Sequence, residues 1–215
     1  MQSNFFIVDV FIKGGPVMIP ILLCSILGAA VIISRIRYFS ATSSDTEAFM
    51  KKVRNCLFAR DYAEALRLCR CEPNPVGEIV ATGIDHLDLP RENLLDFMRQ
   101  EAIHQLKRVE RHNGILSTIA GISPLLGLTG TITGMISSFS IITTVGIGDP
   151  TALAGGISEA LYTTAAGLFV GIPTLVAYNW CESKVAQFEA SVEYCSLDLV
   201  NNMPTQESIR EKAAA

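Results

Sequence analysis

Two threonines and one glutamate stand out because each lies inside a stretch apolar enough for hydrocarbon. Thr131 falls within PLLGLTGTITGMISS, Pro124 to Ser138, while Glu159 and Thr164 fall within EALYTTAAGLFVGIP, Glu159 to Pro173. A hydroxyl can solvate a migrating ion and a carboxylate can bind a proton, whereas a lipid-facing helix would hold Leu or Val at such positions. A carboxylate inside a span costs about 2.5–3.5 kcal/mol on insertion scales, so Glu159 must be partnered, protonated or near water. The two stretches read as two walls of a polar path through a membrane.

The composition fits that setting. Charged residues make up 18% of the 215, below the roughly 25% of an ordinary soluble domain. The net charge of −4 supplies no whole-chain basic field, so nucleic acid is not an expected partner. Residues 16–34 carry no charge up to Arg35 and meet the length of roughly 20 residues that a spanning helix needs. A signal peptide is the rival reading of this segment. Its positive charges should precede the apolar core, but Arg35 and Arg37 follow it, which favours an uncleaved anchor with its N-terminus outside. Before it, residues 1–15 are too short to cross and are expected at the external interface. Further spans are expected at 113–142 and 153–181, joined by an external loop at 143–152 and followed by a cytoplasmic helix and polar tail at 182–215. The last residues of that tail are expected to lack order.

Basic residues near the spans, Arg35, Arg37, Lys107, Arg108 and Arg111, all belong to 35–112, whereas Thr143 to Gly156 has none. The positive-inside rule therefore places 35–112 and the C-terminus in the cytoplasm. Within that part, Thr46–Phe58 and Asp61–Cys71 read as a helical pair. DYAEALRLC sets Tyr62, Ala65, Leu66 and Cys69 on one face, and Pro73 and Pro75 end the pair. Beyond Pro90, Leu95, Met98, Ala102, Leu106 and Val109 mark an amphipathic helix expected to run without a break into span two. Val185, Phe188, Val192, Cys195 and Leu199 repeat the pattern after span three. The two stripes either pair with each other or each cover the Thr46–Cys71 hairpin. The fold class is thus an all-α membrane protein: three transmembrane helices, two of them extended into the cytoplasm, a small helical cytoplasmic domain, and an oligomeric pore.

Steps of seven, close to two helical turns, place Ser117, Pro124, Thr131 and Ser138 on one face and Ile157, Thr164 and Gly171 on another. Thr131 and Thr164 are nearly equidistant from the intervening loop, so an antiparallel pair brings them to similar depth. Each hydroxyl either faces a lumen or bonds the carbonyl one turn back in its own helix. Gly130 with Gly134 and Gly167 with Gly171 form GxxxG pairs, a signature of close helix packing, here expected between subunits. Glu159 lies roughly 140° from Thr164 around the helix. It is therefore assigned to an interface or a rim, with Thr163 its nearer face-mate.

PLLGLTGTITGMISSF followed by GGISEALYTTAAGLFVGIPTLVAYN closely resembles the ExbB/TolQ family, most nearly ExbB, with the flagellar stator protein MotA a more distant relation. The likeness is strong over spans two and three and extends to span one and the cytoplasmic helices by arrangement. It implies an inner-membrane proton channel subunit, pentameric around a dimeric ExbD/TolR-like single-span partner. Such an assembly converts proton motive force into work on a TonB/TolA-like transducer, most nearly for energised outer-membrane transport. The family's pore threonines fall on Thr131 and Thr164 and its span-three glutamate on Glu159. Pro124, Gly127, Gly130, Gly134, Gly167, Gly171 and Pro173 join Glu159 as helix-interface or gating positions. The essential aspartate belongs to the partner in this family, and the three spans here contain none.

Other chemistry is sparse. Cys69 and Cys71 form a C-x-C without a second Cys or His pair, a poor zinc site. Cys56, Cys69, Cys71 and Cys195 are expected as reduced thiols, and His86, His104 and His112 in ordinary surface roles. GLTGT lacks the lysine of a phosphate-binding loop. Neither a cofactor nor an enzymatic activity is expected. The rival functions are a passive oligomeric membrane scaffold, a secondary transporter, disfavoured by three spans without a repeat, and a TolQ-like motor subunit serving envelope maintenance, gliding or secretion.

Overall fold

Charge-free sequence long enough to cross a bilayer recurs three times, and each occurrence folds as one helix. The computed structural model describes residues 14–145 and 150–202, with side chains over 14–143 and 154–202. In chain order the helices are α1 (Met18–Thr42), α2 (Thr46–Phe58), α3 (Tyr62–Cys71), α4 (Val76–Asp85), α5 (Arg91–Val109), α6 (Asn113–Val145) and α7 (Pro150–Asn201). No strand occurs among the described residues. Helices α1, α6 and α7 are long and apolar enough to span. At 1.5 Å per residue α6 is roughly 50 Å long and α7 roughly 78 Å, both beyond the roughly 30 Å of hydrocarbon. Residues 1–13 of the expected interfacial segment, 146–149 of the external loop and 203–215 of the tail lie outside the described residues.

The described residues divide into two units. The first combines the start of α1 with α6 and residues 150–181, and it inverts the pattern of a soluble fold. Its interior holds Ser123, Ser138, Thr163 and Thr174 beside Leu116 and Ala160, while Ile19, Leu125, Phe139, Leu161 and Phe169 point outward. Phe169 is 82% exposed, an outcome suited to a lipid surface or a neighbouring subunit. Span one packs on the other two through Gly28, where an added Cβ would lie 3.4 Å from the Thr174 hydroxyl and 3.7 Å from Ile119.

The second unit, 36–111 with 182–215, has a conventional apolar core. Asp45 caps α2 by accepting from the N–H groups of Glu47 and Ala48, and Asp61 caps α3 by accepting from that of Glu64. Between them α2 ends in a Schellman turn: Asp61 N–H donates to Cys56 O and Arg60 N–H to Leu57 O, both at 3.0 Å. Phe49, Met50, Val53, Ala65, Cys69, Ile79, Val80, Leu94, Met98, Val185, Cys195 and Leu199 share one buried cluster. Both amphipathic stripes therefore meet the hairpin in a single core.

Two expectations need correction here. First, α5 does not run into α6. It stops at Val109, and His112 adopts a left-handed φ of 72° before α6 starts; the apolar spacing gave no sign of a break made by a left-handed residue other than glycine. Second, the buried stripe of α5 is Leu94, Met98, Gln105 and Val109, with Leu95, Ala102 and Leu106 only partly covered, and Tyr62 on α3 is exposed. Pro73 and Pro75 follow the end of α3 at Cys71, as expected, and Pro75 also occupies the N-cap position of α4.

Candidate ion-path seam in the spans

Helices α6 and α7 run antiparallel along a seam of small residues. An added Cβ at Gly127 would lie 3.1 Å from Thr163 O and from the Thr164 Cα, and one at Gly134 would lie 2.7 Å from Gly156 O. At Gly167 it would lie 2.5 Å from Ser123 O, and at Gly171 2.9 Å from the Pro124 ring. At Gly130 it would overlap the Thr163 side chain. These glycines thus pack two spans of one chain, rather than facing a second copy as the GxxxG reading expected. Backbones can approach this closely only where side chains are absent or small. Pro124 has no N–H for Ala120 O, which instead lies 3.4 Å from the Cβ position of Gly171 across the seam. Pro173 sits on the exposed side of α7.

In the register set by Gly134 opposite Ala160 and Gly127 opposite Gly167, Thr131 comes level with Thr163 and Thr164. The two candidate threonines differ in what they bind. Thr131 is half-buried and its hydroxyl donates to Leu128 O of its own helix at 2.6 Å. The Thr164 hydroxyl has two acceptors in reach, Gly127 O on α6 at 3.1 Å and Ala160 O on α7 at 3.2 Å. One proton cannot serve both fully, so this hydroxyl can exchange between the helices. In each case the donor is taken by a carbonyl, and the oxygen's lone pairs remain to accept.

The face obtained by steps of seven is not one surface. Ser117 is exposed, Thr131 half-buried and Ser138 buried against Gly156. A straight helix drifts about 20° per seven residues, so three steps turn the face by roughly 60°. Thr163 is buried, donating to Ala160 O at 2.9 Å. Glu159 is half-buried and its carboxylate reaches Gly15. The sequence reading missed the buried hydroxyls Ser123 and Thr174, which donate to Ile119 O and Val170 O, and also Gly28 and Gly156. Their signal was available: small residues recurring at three to four along otherwise bulky spans.

A family profile matches residues 72–194, described as the MotA/TolQ/ExbB proton channel family. The chain belongs to this family. It is 32% identical over 181 residues to an ExbB-like biopolymer transport protein of Synechocystis, an alignment covering 80% of this chain and 69% of the relative. It is 40% identical over 82 residues to the biopolymer transport protein ExbB of Salmonella typhimurium, covering 38% and 34% of the two chains. It is also 37% identical over 97 residues to the Tol-Pal system protein TolQ of Pseudomonas aeruginosa, covering 45% and 42%. The chain therefore spans about two thirds of the first relative and less than half of the other two. As a MotA/TolQ/ExbB family member with three apolar helices, it is a multi-pass inner-membrane protein of the ExbB/TolQ type.

Proposed function

We propose that this chain is the ion-conducting subunit of an inner-membrane motor, carrying protons at a pore that it completes as a pentamer with an ExbD/TolR-like partner. The motor converts proton motive force into work on a TonB/TolA-like transducer, for energised outer-membrane transport. The N-terminus lies outside and 35–112 in the cytoplasm, in keeping with the basic residues beside the spans. The observation that carries this reading is the pair of threonines at one level of the α6–α7 seam, one of them able to trade its hydrogen bond between helices.

A partner carboxylate is neutral in lipid and loses its proton only where the anion or the departing proton is solvated. Oxygens whose hydrogens point to carbonyls present acceptor lone pairs, suited to a protonated carboxyl group or a hydrated proton. Rotation of the Thr164 hydroxyl away from Gly127 O converts it into a donor for the anion. The driving force is about 2.3 kcal/mol per charge per 100 mV.

The test is Thr131→Val with Thr164→Val, co-reconstituted with the single-span partner in liposomes carrying a pH-sensitive dye. Assembly should persist while proton flux falls at least tenfold. Unchanged flux would overturn the assignment of the path. Co-purification with a partner bearing a membrane aspartate separates the motor from a passive scaffold.

A further inference from the structure

The carboxylate of Glu159 ends against the bend that leads into α1. Its Oε1 occupies the space that a Cβ at position 15 would need, and its Cγ lies 3.5 Å from that point. Gly15 is left-handed, with φ 66°, a conformation that glycine adopts without penalty. In the turn that follows, Met18 N–H donates to Gly15 O at 3.2 Å and Ile19 N–H to Pro16 O at 3.3 Å. Helix α1 has no acidic residue in its first turn. Pro16 and Pro20 carry no N–H, and those of Met18 and Ile19 are taken by these carbonyls, so what α1 presents to the carboxylate is the positive end of its aligned peptide dipoles rather than a free donor. The flanking Met18 and Ile21 are buried to 2% and 1% exposure, so the start of α1 is packed and the carboxylate sits at its edge.

We propose that Glu159 is a positioning residue whose charged carboxylate docks on the start of α1 and fixes span one against α7 within a single chain. This accounts for a costly charge in a span without placing it in the pore: a helix N-terminus lowers the cost of an anion. It also explains why position 15 is glycine, since both its backbone conformation and the adjoining carboxylate exclude a side chain. The docking stands on packing and charge alone and needs no ion flow, so a failed flux experiment leaves it intact.

Two arms test it on the full-length protein, the first in membranes and the second in detergent micelles. Gly15→Cys with Glu159→Cys, oxidised in membranes and mapped by mass spectrometry, should yield a 15–159 disulfide within one chain; bonds found only between chains overturn the proposal. A cysteine is strained at position 15, so hydrogen exchange on single variants decides where the pair fails to fold. Glu159→Ala should speed exchange at the Met18 and Ile19 amides about tenfold. Glu159→Gln, equal in size and neutral, should give an intermediate rate, and Gly15→Ala should add little once Glu159 is Ala. Wild-type rates in Glu159→Ala, or full protection by Gln, overturn it.

Discussion

At the scale of single residues, the seam between α6 and α7 leaves almost no tolerance for atoms. An added methyl at Gly167 would press on Ser123 O at 2.5 Å, a backbone atom that cannot rotate away. Gly167→Ala should therefore destabilise the spans by about 1–3 kcal/mol, read as a lower melting temperature of the purified protein in detergent. Buried thiols give a second residue-scale expectation. Burial pushes Cys69 and Cys195 up to about 12 from an ordinary value near 9, with Glu72 next for Cys69 and Asp198 next for Cys195. The folded state keeps these protons after the unfolded chain has released them. Their contribution to stability is full below about pH 9 and is lost as pH rises from there towards 12. Denaturation of the protein between pH 8 and 11 should show this loss, and it should shrink in Cys69→Ala with Cys195→Ala. The depth of Thr131 and Thr164 was legible because an antiparallel pair makes it a matter of counting from a loop. The contact of Glu159 was not, because its neighbour Gly15 is remote in sequence and looks in isolation like any hinge glycine.

At the scale of elements, apolar length and caps were the readable signals. Asp45 and Asp61 stand where helices begin, and Val185, Phe188, Cys195 and Leu199 are buried on the expected face of α7. Ends that rely on left-handed residues other than glycine left no such mark, which is why the break at His112 was hidden and the turn at Arg60 carries strain. Arg60 is exposed, with φ 59° at the C′ position of α2. A left-handed L-residue costs about 1–2 kcal/mol, of which glycine avoids most. Arg60→Gly should then stabilise the 36–111 and 182–215 unit by about 1 kcal/mol, measured as a higher urea midpoint with unchanged slope. A lower midpoint would mean that the Arg60 side chain contributes more than its backbone strain costs. One Arg54 nitrogen, Nη2, donates to both Asp198 oxygens at 2.9 Å and ties α2 to the end of α7, as buried Gln105 ties α5 to α4 by donating to Glu78.

At the scale of the whole molecule, the spans of one chain leave a second face of α6 without cover. Gly114, Thr118, Gly121, Leu125, Leu128 and Ile132 follow one another at helical spacing on the side away from the seam, and all are exposed. An added Cβ at Gly114 or Gly121 meets nothing within 4 Å. Glycines in a lipid-facing position would give up apolar contact for no gain, whereas between helices they permit close approach. The proposed pore needs other copies of the chain, and this half-small, half-bulky stripe offers room for one. Gly121→Leu should accordingly leave the single chain folded, since no atom of its own lies in the way, and shift the native mass spectrum from the proposed pentamer to smaller species. Gly167→Leu should instead lower the yield of folded protein at every stoichiometry, because its obstruction is inside the chain. If Gly121→Leu leaves the stoichiometry unchanged, this stripe of α6 faces lipid and the neighbouring copy packs elsewhere.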